Sequence, residues 1–457
     1  MKRPVSGKVL IGLAGSTALS IAAFNFALPV FAQDSDVGIR SAFDVTIGGR
    51  AGRNLDLDPG GTDTSAEANA ALRYSYDRNT TVTQLHFLAE TSPIWSDDGN
   101  NGAYPVLQFS LKHRAPRTEL SAGLSFAQSE VTSQSISYDD AGTLLVYDGK
   151  GQRNLARVQL GLQGGIDMPL GYTFGYSGSR LSYSGDASDS NSDSRSDSFS
   201  LGLTAELSSM TSLALDMSHV EYDADNDLQT HRHTDAVSLG VQQRIDAATS
   251  LNLSLGYSSV DLERIGYADD QNDGVTVGAG VTREDGLGVY TISYGRSVTQ
   301  NGARDDVRVL RNRETKNGEF SGMVGVSYGD ESGSTDFIGS LSYMHELKRD
   351  RLQATASRAV RSADDGTEVV LTRLDGNVTH EFSPLSSMNF GLTATATNRD
   401  TSDQLRVDAR VAYSHKLTQD VSMSTGINLG LLTRDSYDDA QSQSLFFNLT
   451  RHFEAPR

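Results

Sequence analysis

Apolar and polar residues alternate along short segments of this chain, from near residue 40 to Phe453. In one segment the apolar set is Leu405, Val407, Ala409, Val411 and Tyr413, and the intervening set is Arg406, Asp408, Arg410, Ala412 and Ser414. A period of two places these sets on opposite faces of a β-strand. A soluble β-sandwich would bury the apolar face in a core. A membrane barrel turns that face toward lipid and leaves the polar face in a wet lumen.

The connections between these segments are of two kinds, and they alternate. The short connections, such as 76–79, 208–211 and 383–386, join the strands at one end. The longer loops, such as 55–65 and 184–198, are rich in Asp, Asn, Ser and Gly and join them at the other end. Short periplasmic turns opposite long extracellular loops are typical of outer-membrane barrels. We therefore predict an all-β fold: a closed up-and-down antiparallel transmembrane β-barrel of about 22 strands.

Two parts of this count depend on more than alternation. Residues 119–138 and 143–167 predict an overlong hairpin that projects beyond the membrane, with its tip at 139–142. Residues 305–315 make a poor strand, because three arginines crowd it. We keep this strand because the short and long connections would otherwise swap sides after residue 300. The even count then places both termini in the periplasm.

Composition supports a barrel more than a soluble globule. Hydrophobic residues make up 37% of the chain, which is low for a soluble core of this size, and 44 glycines with 9 prolines fit many tight turns. The net charge of −19 argues against nucleic acid as a partner. The absence of cysteine excludes disulfides, a catalytic thiol and a thiolate metal site. We predict no cofactor.

The amino terminus has the features of an export signal. Residues 1–32 begin with basic residues, continue with an apolar stretch and end at Ala32 with the small-x-small motif that signal peptidase cleavage requires. A membrane-anchoring helix is the alternative, which Gly12 and Pro29 weaken. The predicted organisation is a signal peptide (1–32), a short periplasmic segment (33–38), a barrel (39–453) and a tail (454–457). Because the first strand begins near Ile39, we expect no plug domain before the barrel, which disfavours a siderophore-type receptor.

Repeated segments near the short turns carry a family resemblance. They are 341–347, 378–387 and 411–418, each with a histidine just before the turn. The organisation resembles a broad family of porin-like outer-membrane β-barrels of alphaproteobacteria, over essentially the whole mature chain. The last strand, ending near Phe453, resembles the signal read by the barrel-assembly machinery. The resemblance implies no catalytic residues, and some relatives are linked to exopolysaccharide export.

Several polar clusters have alternative interpretations. Asp223, Asp225 and Asp227 have the spacing of a calcium loop, but Leu228 and Thr234 stand where its Gly and Glu belong. A zinc site of His231, His233 and Asp235 is weighed against an ordinary surface cluster, which we favour. The recurring His345, His380, His415 and His452 are expected at the membrane interface. We therefore predict no catalytic, cofactor or metal site.

The predicted functional residues line the lumen. Arg406, Asp408 and Arg410 point inward if Val407 and Ala409 point to lipid, and Arg373 and Asp375 share the inward parity of Leu371 and Asn377. Mixed charges on a lumen wall tune ion selectivity or brace the wall. These five residues are our lumen-facing candidates.

These features favour a non-enzyme, a porin-like channel or transport conduit of the outer membrane. Its expected partners are outer-membrane lipid, lipopolysaccharide, the barrel-assembly machinery and a small solute or polysaccharide. The alternatives are a structural or surface-interaction barrel with acidic loops, an outer-membrane component of exopolysaccharide export, a barrel-embedded enzyme and a soluble all-β repeat protein. An autotransporter is disfavoured, because no passenger precedes the predicted barrel.

Overall fold

The computed structural model describes residues 37–97, 101–131, 136–138, 144–146, 151–185, 191–362, 367–398, 403–435 and 438–454. The predicted signal peptide (1–32), the hairpin tip at 139–142 and most of the segments 33–38 and 454–457 lie outside these residues. None of the described segments forms a helix with the length and hydrophobicity that a membrane span needs.

The described residues form 26 strands, of which 22 build one closed antiparallel wall. The strands are β1 (Gly38–Arg53), β2 (Thr64–Asn79), β3 (Thr83–Thr91), β4 (Pro93–Ser96), β5 (Gly102–Ala103), β6 (Val106–Ala115), β7 (Thr118–Val131), β8 (Ile136–Tyr138), β9 (Leu144–Val146), β10 (Gly151–Gly164), β11 (Leu170–Ser184), β12 (Ser194–Ser208), β13 (Thr211–Ala224), β14 (Thr230–Arg244), β15 (Thr249–Glu263), β16 (Asp270–Asp285), β17 (Gly288–Thr299), β18 (Gly302–Thr315), β19 (Gly318–Gly329), β20 (Thr335–Glu346), β21 (Asp350–Ser362), β22 (Glu368–Ser383), β23 (Ser386–Asn398), β24 (Asp403–Lys416), β25 (Val421–Arg434) and β26 (Ala440–Glu454). The short β4 and β5 extend β3 and β6, and β8 pairs with β9 in a separate two-stranded ribbon.

The barrel closes where the first strand meets the last. β1 pairs antiparallel with β26 from Ala42↔Glu454 to Arg53↔Gln443, and every other wall strand pairs with its neighbours along the chain. Closure leaves no open sheet edge, so strand backbone groups find partners within the wall. The predicted closed barrel of 22 strands is confirmed.

The two faces of the wall differ as the alternation requires. On β25 and β26 the side chains of Ile427, Leu429, Leu445 and Phe447 point outward and are exposed, whereas Ser444, on the opposite face of β26, is buried. Buried apolar side chains gather in small clusters, of which Leu57, Leu432 and Ala440 form one. The apolar surface therefore faces outward, as a lipid-embedded barrel requires.

The strand predicted at 305–315 is present. β18 pairs with β17 and β19 along its length, and a two-residue turn at 316–317 leads into β19. Its outward positions include Val307 and Val309, which are exposed, and Arg308 lies on the inner face. Arg311 and Arg313 share the outward parity close to the short turn, where Arg311 lies over the Tyr290 ring. The overlong hairpin is also present, as β7 and β10 with the β8–β9 ribbon beyond them.

The first short turn is placed differently from the prediction. Residues 76–79 continue β2, and the chain reverses at 80–82 instead. Thr80 supplies the turn chemistry, since its Oγ1 accepts hydrogen bonds from the backbone N–H of Thr83 at 2.8 Å and of Val82 at 3.4 Å. The prediction of a turn at 76–79 is therefore wrong, since the turn follows directly after these residues.

Candidate functional site

A polar cavity of about 870 Å³ lies inside the barrel and is the best-formed candidate site. We call it the lumen cavity. Its wall comes from β1 and β21 to β26, and the loop 54–63 covers part of it. The charged side chains that line it are Arg50, Asp375, Arg406, Asp408 and Arg410. Asparagines, threonines and serines supply most of the remaining polar wall.

Asp375 is a hydrogen-bonded centre on this wall. It accepts hydrogen bonds from Arg373 Nε at 2.7 Å and Nη2 at 2.9 Å, and from Thr393 Oγ1 at 3.1 Å. The bidentate contact fixes the orientation of both side chains.

A second pair of charged side chains, Arg406 and Asp408, lies at the same height in the barrel wall as Asp375. The pairing register places Asp375 beside Thr393, and Thr393 beside Asp408, so β23 lies between the two carboxylates. Arg406 Nε donates to Asp408 at 2.8 Å. The barrel thus brings residues from β22 and β24 onto one stretch of wall.

Arg410 differs from the other lumen arginines. Its guanidinium lies over the Phe446 ring at 4.4 Å, and it forms no ion pair with any described residue. Arginine on an aromatic face keeps its donors directed away from the ring. Arg410 therefore presents positive charge to the lumen.

Four of the five predicted lumen residues, Asp375, Arg406, Asp408 and Arg410, line the lumen cavity. The fifth, Arg373, does not line it but is held by Asp375.

Sequence reasoning missed the pair of Arg50 and Glu67, which face each other across β1 and β2. Arg50 Nη2 donates to Glu67 Oε1 at 2.9 Å, and Arg50 Nε contacts the other oxygen. Tyr104 lies above them in the connection to β6, where burial, Glu130 and Glu67 raise its pKa to about 12. The signal available in the sequence was the inward parity of Arg50 on β1.

The loop 54–63 folds into the barrel mouth. Leu57 is 4% exposed and packs with Leu432 and Ala440 on the inner wall. Asn54 holds the loop closed, because its Oδ1 accepts from the Asp58 N–H at 2.8 Å and its Nδ2 donates to the Asp58 carbonyl at 2.9 Å. The loop therefore narrows the opening on the long-loop side.

A second interior cavity, of about 290 Å³, is rich in arginine. We call it the arginine cavity, and its charged lining is Arg232, Arg304, Arg308, Arg358, Arg361, Asp306 and Glu368. Arg304 binds Ser327 at 2.8 Å and contacts Glu368, and Arg308 Nη2 donates to Asp306 at 2.7 Å. The buried Nε of Arg308 has no hydrogen-bond partner among the described residues.

Among the described residues, the other polar clusters do not form sites as the sequence grouped them. Their members either pair with a neighbouring side chain or lie on different structural elements. Asp223 lies in β13 and contacts His231, apart from the turn that contains Asp225 and Asp227. His380 contacts Asp350 at 2.6 Å just before a short turn. The predicted loop 184–198 is too long, because residues 194–198 belong to β12, where Asp197 accepts hydrogen bonds from Tyr176 and Arg195. Residues 186–190 of this loop lie outside the described residues.

No family model matches this sequence, and no curated protein sequence matches it. Solved structures do match. The ferric-catecholate import receptor Fiu of E. coli K12 has a TM-score of 0.59 at 8% identity, over 91% of this chain and 82% of that chain. The FrpB iron transporter of Neisseria meningitidis has a TM-score of 0.57 at 7% identity, over 90% and 82%. A mutant of the ferric enterobactin receptor PfeA of Pseudomonas aeruginosa has a TM-score of 0.56 at 9% identity, over 91% and 82%.

Likeness at such low identity shows the fold. Together with the outward apolar face and the closed wall, it identifies this chain as an outer-membrane β-barrel of Gram-negative type. The resemblance stated from the sequence is confirmed as far as the outer-membrane β-barrel fold.

Proposed function

We propose that this protein is a porin-like channel that admits small polar solutes and favours anions. The observation that carries the proposal is the charge of the interior. Eight arginines and four carboxylates line the two cavities, although the whole chain carries a net charge of −19. A lumen wall with excess positive charge attracts anions and repels cations.

One of the arginines offers a group that other side chains leave available. Arg410 has no carboxylate partner among the described residues and lies over the Phe446 ring in the lumen cavity. Guanidinium groups bind carboxylate and phosphate oxygens in charge-assisted hydrogen bonds. The proposed solutes are therefore small carboxylates or phosphates.

The loop 54–63 supports an upper limit on solute size. Because Leu57 anchors this loop to the inner wall, the mouth is narrower than the empty barrel would be. The solved barrels similar to this chain are named as receptors and transporters, which supports transport in general. We also propose that this chain is a member of the alphaproteobacterial porin-like family that its sequence resembles.

The test is solute entry into liposomes that contain the refolded barrel. A small anionic fluorophore should enter faster than a cationic one of matched size, and a large dextran should stay outside. Equal rates for the two small probes would remove the anion preference. No entry of either probe in a fully folded preparation would remove the channel itself.

Export of an acidic exopolysaccharide is the second candidate, and the arginine cavity favours it. A chain of sugar carboxylates is complementary to a wall that carries Arg232, Arg304 and Arg358. Short uronic-acid oligomers should then block ion current from the periplasmic side at micromolar concentration, whereas neutral oligomers of equal length should not. An equal effect of both oligomers would eliminate this candidate.

A further inference from the structure

A cluster of two histidines and one aspartate lies on the outer face of the barrel, away from the lumen. His219 is on β13, and His233 and Asp235 are on β14. They share the outward parity of Met217 and Val237, which are exposed. The cluster therefore faces the surroundings of the barrel and plays no part in the proposed channel.

The cluster stands at the upper edge of the apolar band. An outer groove of about 430 Å³ includes His219 and Asp235 in its lining, together with three serines and several large apolar or aromatic side chains. The large side chains are Phe174, Phe199, Leu201, Met217, Val237 and Tyr257. Because β13 ends and β14 begins at the long-loop side, this position is the outer boundary between lipid and water.

The three side chains converge on one point. His219 Nδ1 lies 2.8 Å from Asp235 Oδ1, and His233 Nε2 lies 2.8 Å from Asp235 Oδ2. The two imidazole rings meet edge to face with centroids 4.5 Å apart. One donor atom from each residue lies within 4.8 Å of the others, which is close enough for the three side chains to share one ion after small rotations.

The strands hold this arrangement without a ligand. His219 and Asp235 are direct partners in the β13–β14 register, so their separation is set by the backbone. The Phe199 ring lies 6.3 Å from the His219 ring on the other side. Glu221 and Asp261 flank His233 in the registers on either side, which adds negative charge around the cluster.

We propose that His219, His233 and Asp235 form a Zn²⁺ site with three protein ligands and a fourth position open to water. Two imidazole nitrogens and one carboxylate oxygen are a ligand set that Zn²⁺ takes in tetrahedral geometry. The carboxylates of Glu221 and Asp261 favour a cation over an anion at this place. The ligands are between about a third and a little over half exposed, so an ion reaches them from outside the cell.

This assignment changes the set named from the sequence. Spacing alone groups His231 with His233 and Asp235, but His231 contacts Asp223 further up the strand. His219 takes its place, because the hairpin register brings β13 beside β14.

The experiment is Zn²⁺ titration of the refolded full barrel in detergent without lipopolysaccharide, against a chromophoric chelator. We expect one ion per chain. Replacing Zn²⁺ by Co²⁺ should give the strong visible absorption of a four-coordinate ion. The double variant His219→Gln/His233→Gln should weaken binding by more than about 100-fold, since loss of outer partners alone costs 10–100-fold.

The matched control is His231→Gln, which removes a neighbouring histidine of the same face. It should leave Zn²⁺ affinity within about twofold of the parent, and gel mobility of unheated samples should show that both variants fold. Absence of stoichiometric binding, survival of binding in the double variant, or equal loss in the control would overturn the site. None of these outcomes bears on solute entry, because the cluster faces away from the lumen.

Discussion

Placing an arginine at Val407 should destabilise the barrel through its lipid face. Val407 belongs to the outward set of β24, in register with Ala394 and Leu431. Ala409 is near the middle of this strand, which runs from Asp403 to Lys416. Val407 is two residues away, about 7 Å along the strand and about 5 Å in depth at the usual tilt.

The expected cost follows from that depth. An outward arginine costs about 2–4 kcal/mol at the midplane and about 0–1 kcal/mol at the interface of a 25 Å apolar band. Linear interpolation gives about 1.2–2.8 kcal/mol for Val407→Arg, or roughly 10- to 100-fold in the folding equilibrium. Val407→Leu keeps an apolar group at the same place and should fold like the parent.

The comparison on the lumen side is Arg406→Val. This change removes the ion pair with Asp408, whose members are 23% and 45% exposed, so its cost should stay below about 1 kcal/mol. The assay is folding into lipid vesicles over a urea series, read from the mobility of unheated samples on a denaturing gel. Equal midpoints for Val407→Arg and Arg406→Val would refute the assignment of the two faces.

Three further changes test the lumen and a turn. Leu57→Asp should detach the loop 54–63 from the wall and raise single-channel conductance, because a charge cannot stay in that buried apolar contact; unchanged conductance would mean that the loop does not restrict the mouth. Arg406→Ser with Arg410→Ser should move the reversal potential in a salt gradient toward cation selectivity, since Asp408 is left unopposed, and a shift toward anions would contradict this. In the turn after β14, hydrogen bonds from the Ala248 N–H, and then Thr249, lower the pKa of Asp246 despite some desolvation. Its stabilising effect should therefore be complete above about pH 4 and lost as pH falls through the lowered value, so the difference in urea midpoint between the parent and Asp246→Ala should vanish in acid.

Alternation made the wall of this barrel predictable from the sequence. Whether Arg406 or Val407 faces the lumen depends on a local period of two, which each strand carries by itself. The arginine-rich β18 was predictable for a second reason, because its own alternation is weak. Without this strand, the short turns and long loops would change sides of the membrane after residue 300.

The sequence could not show what depends on register or on loop paths. Thr393 lies between Asp375 and Asp408 only because of the register in which β22, β23 and β24 pair. The pairing of His219 with Asp235 has the same origin. The inward fold of the loop 54–63 rests on Leu57 meeting residues nearly 400 positions away, which no local pattern encodes.

The most direct test of the account is single-channel recording from the purified, refolded protein in a planar bilayer with a salt gradient. The arginine excess of the two cavities predicts discrete conductance steps and a reversal potential of the sign that anion selectivity requires. A preparation that is folded by gel mobility and yet carries no current at any voltage would contradict the claim that this barrel is a channel.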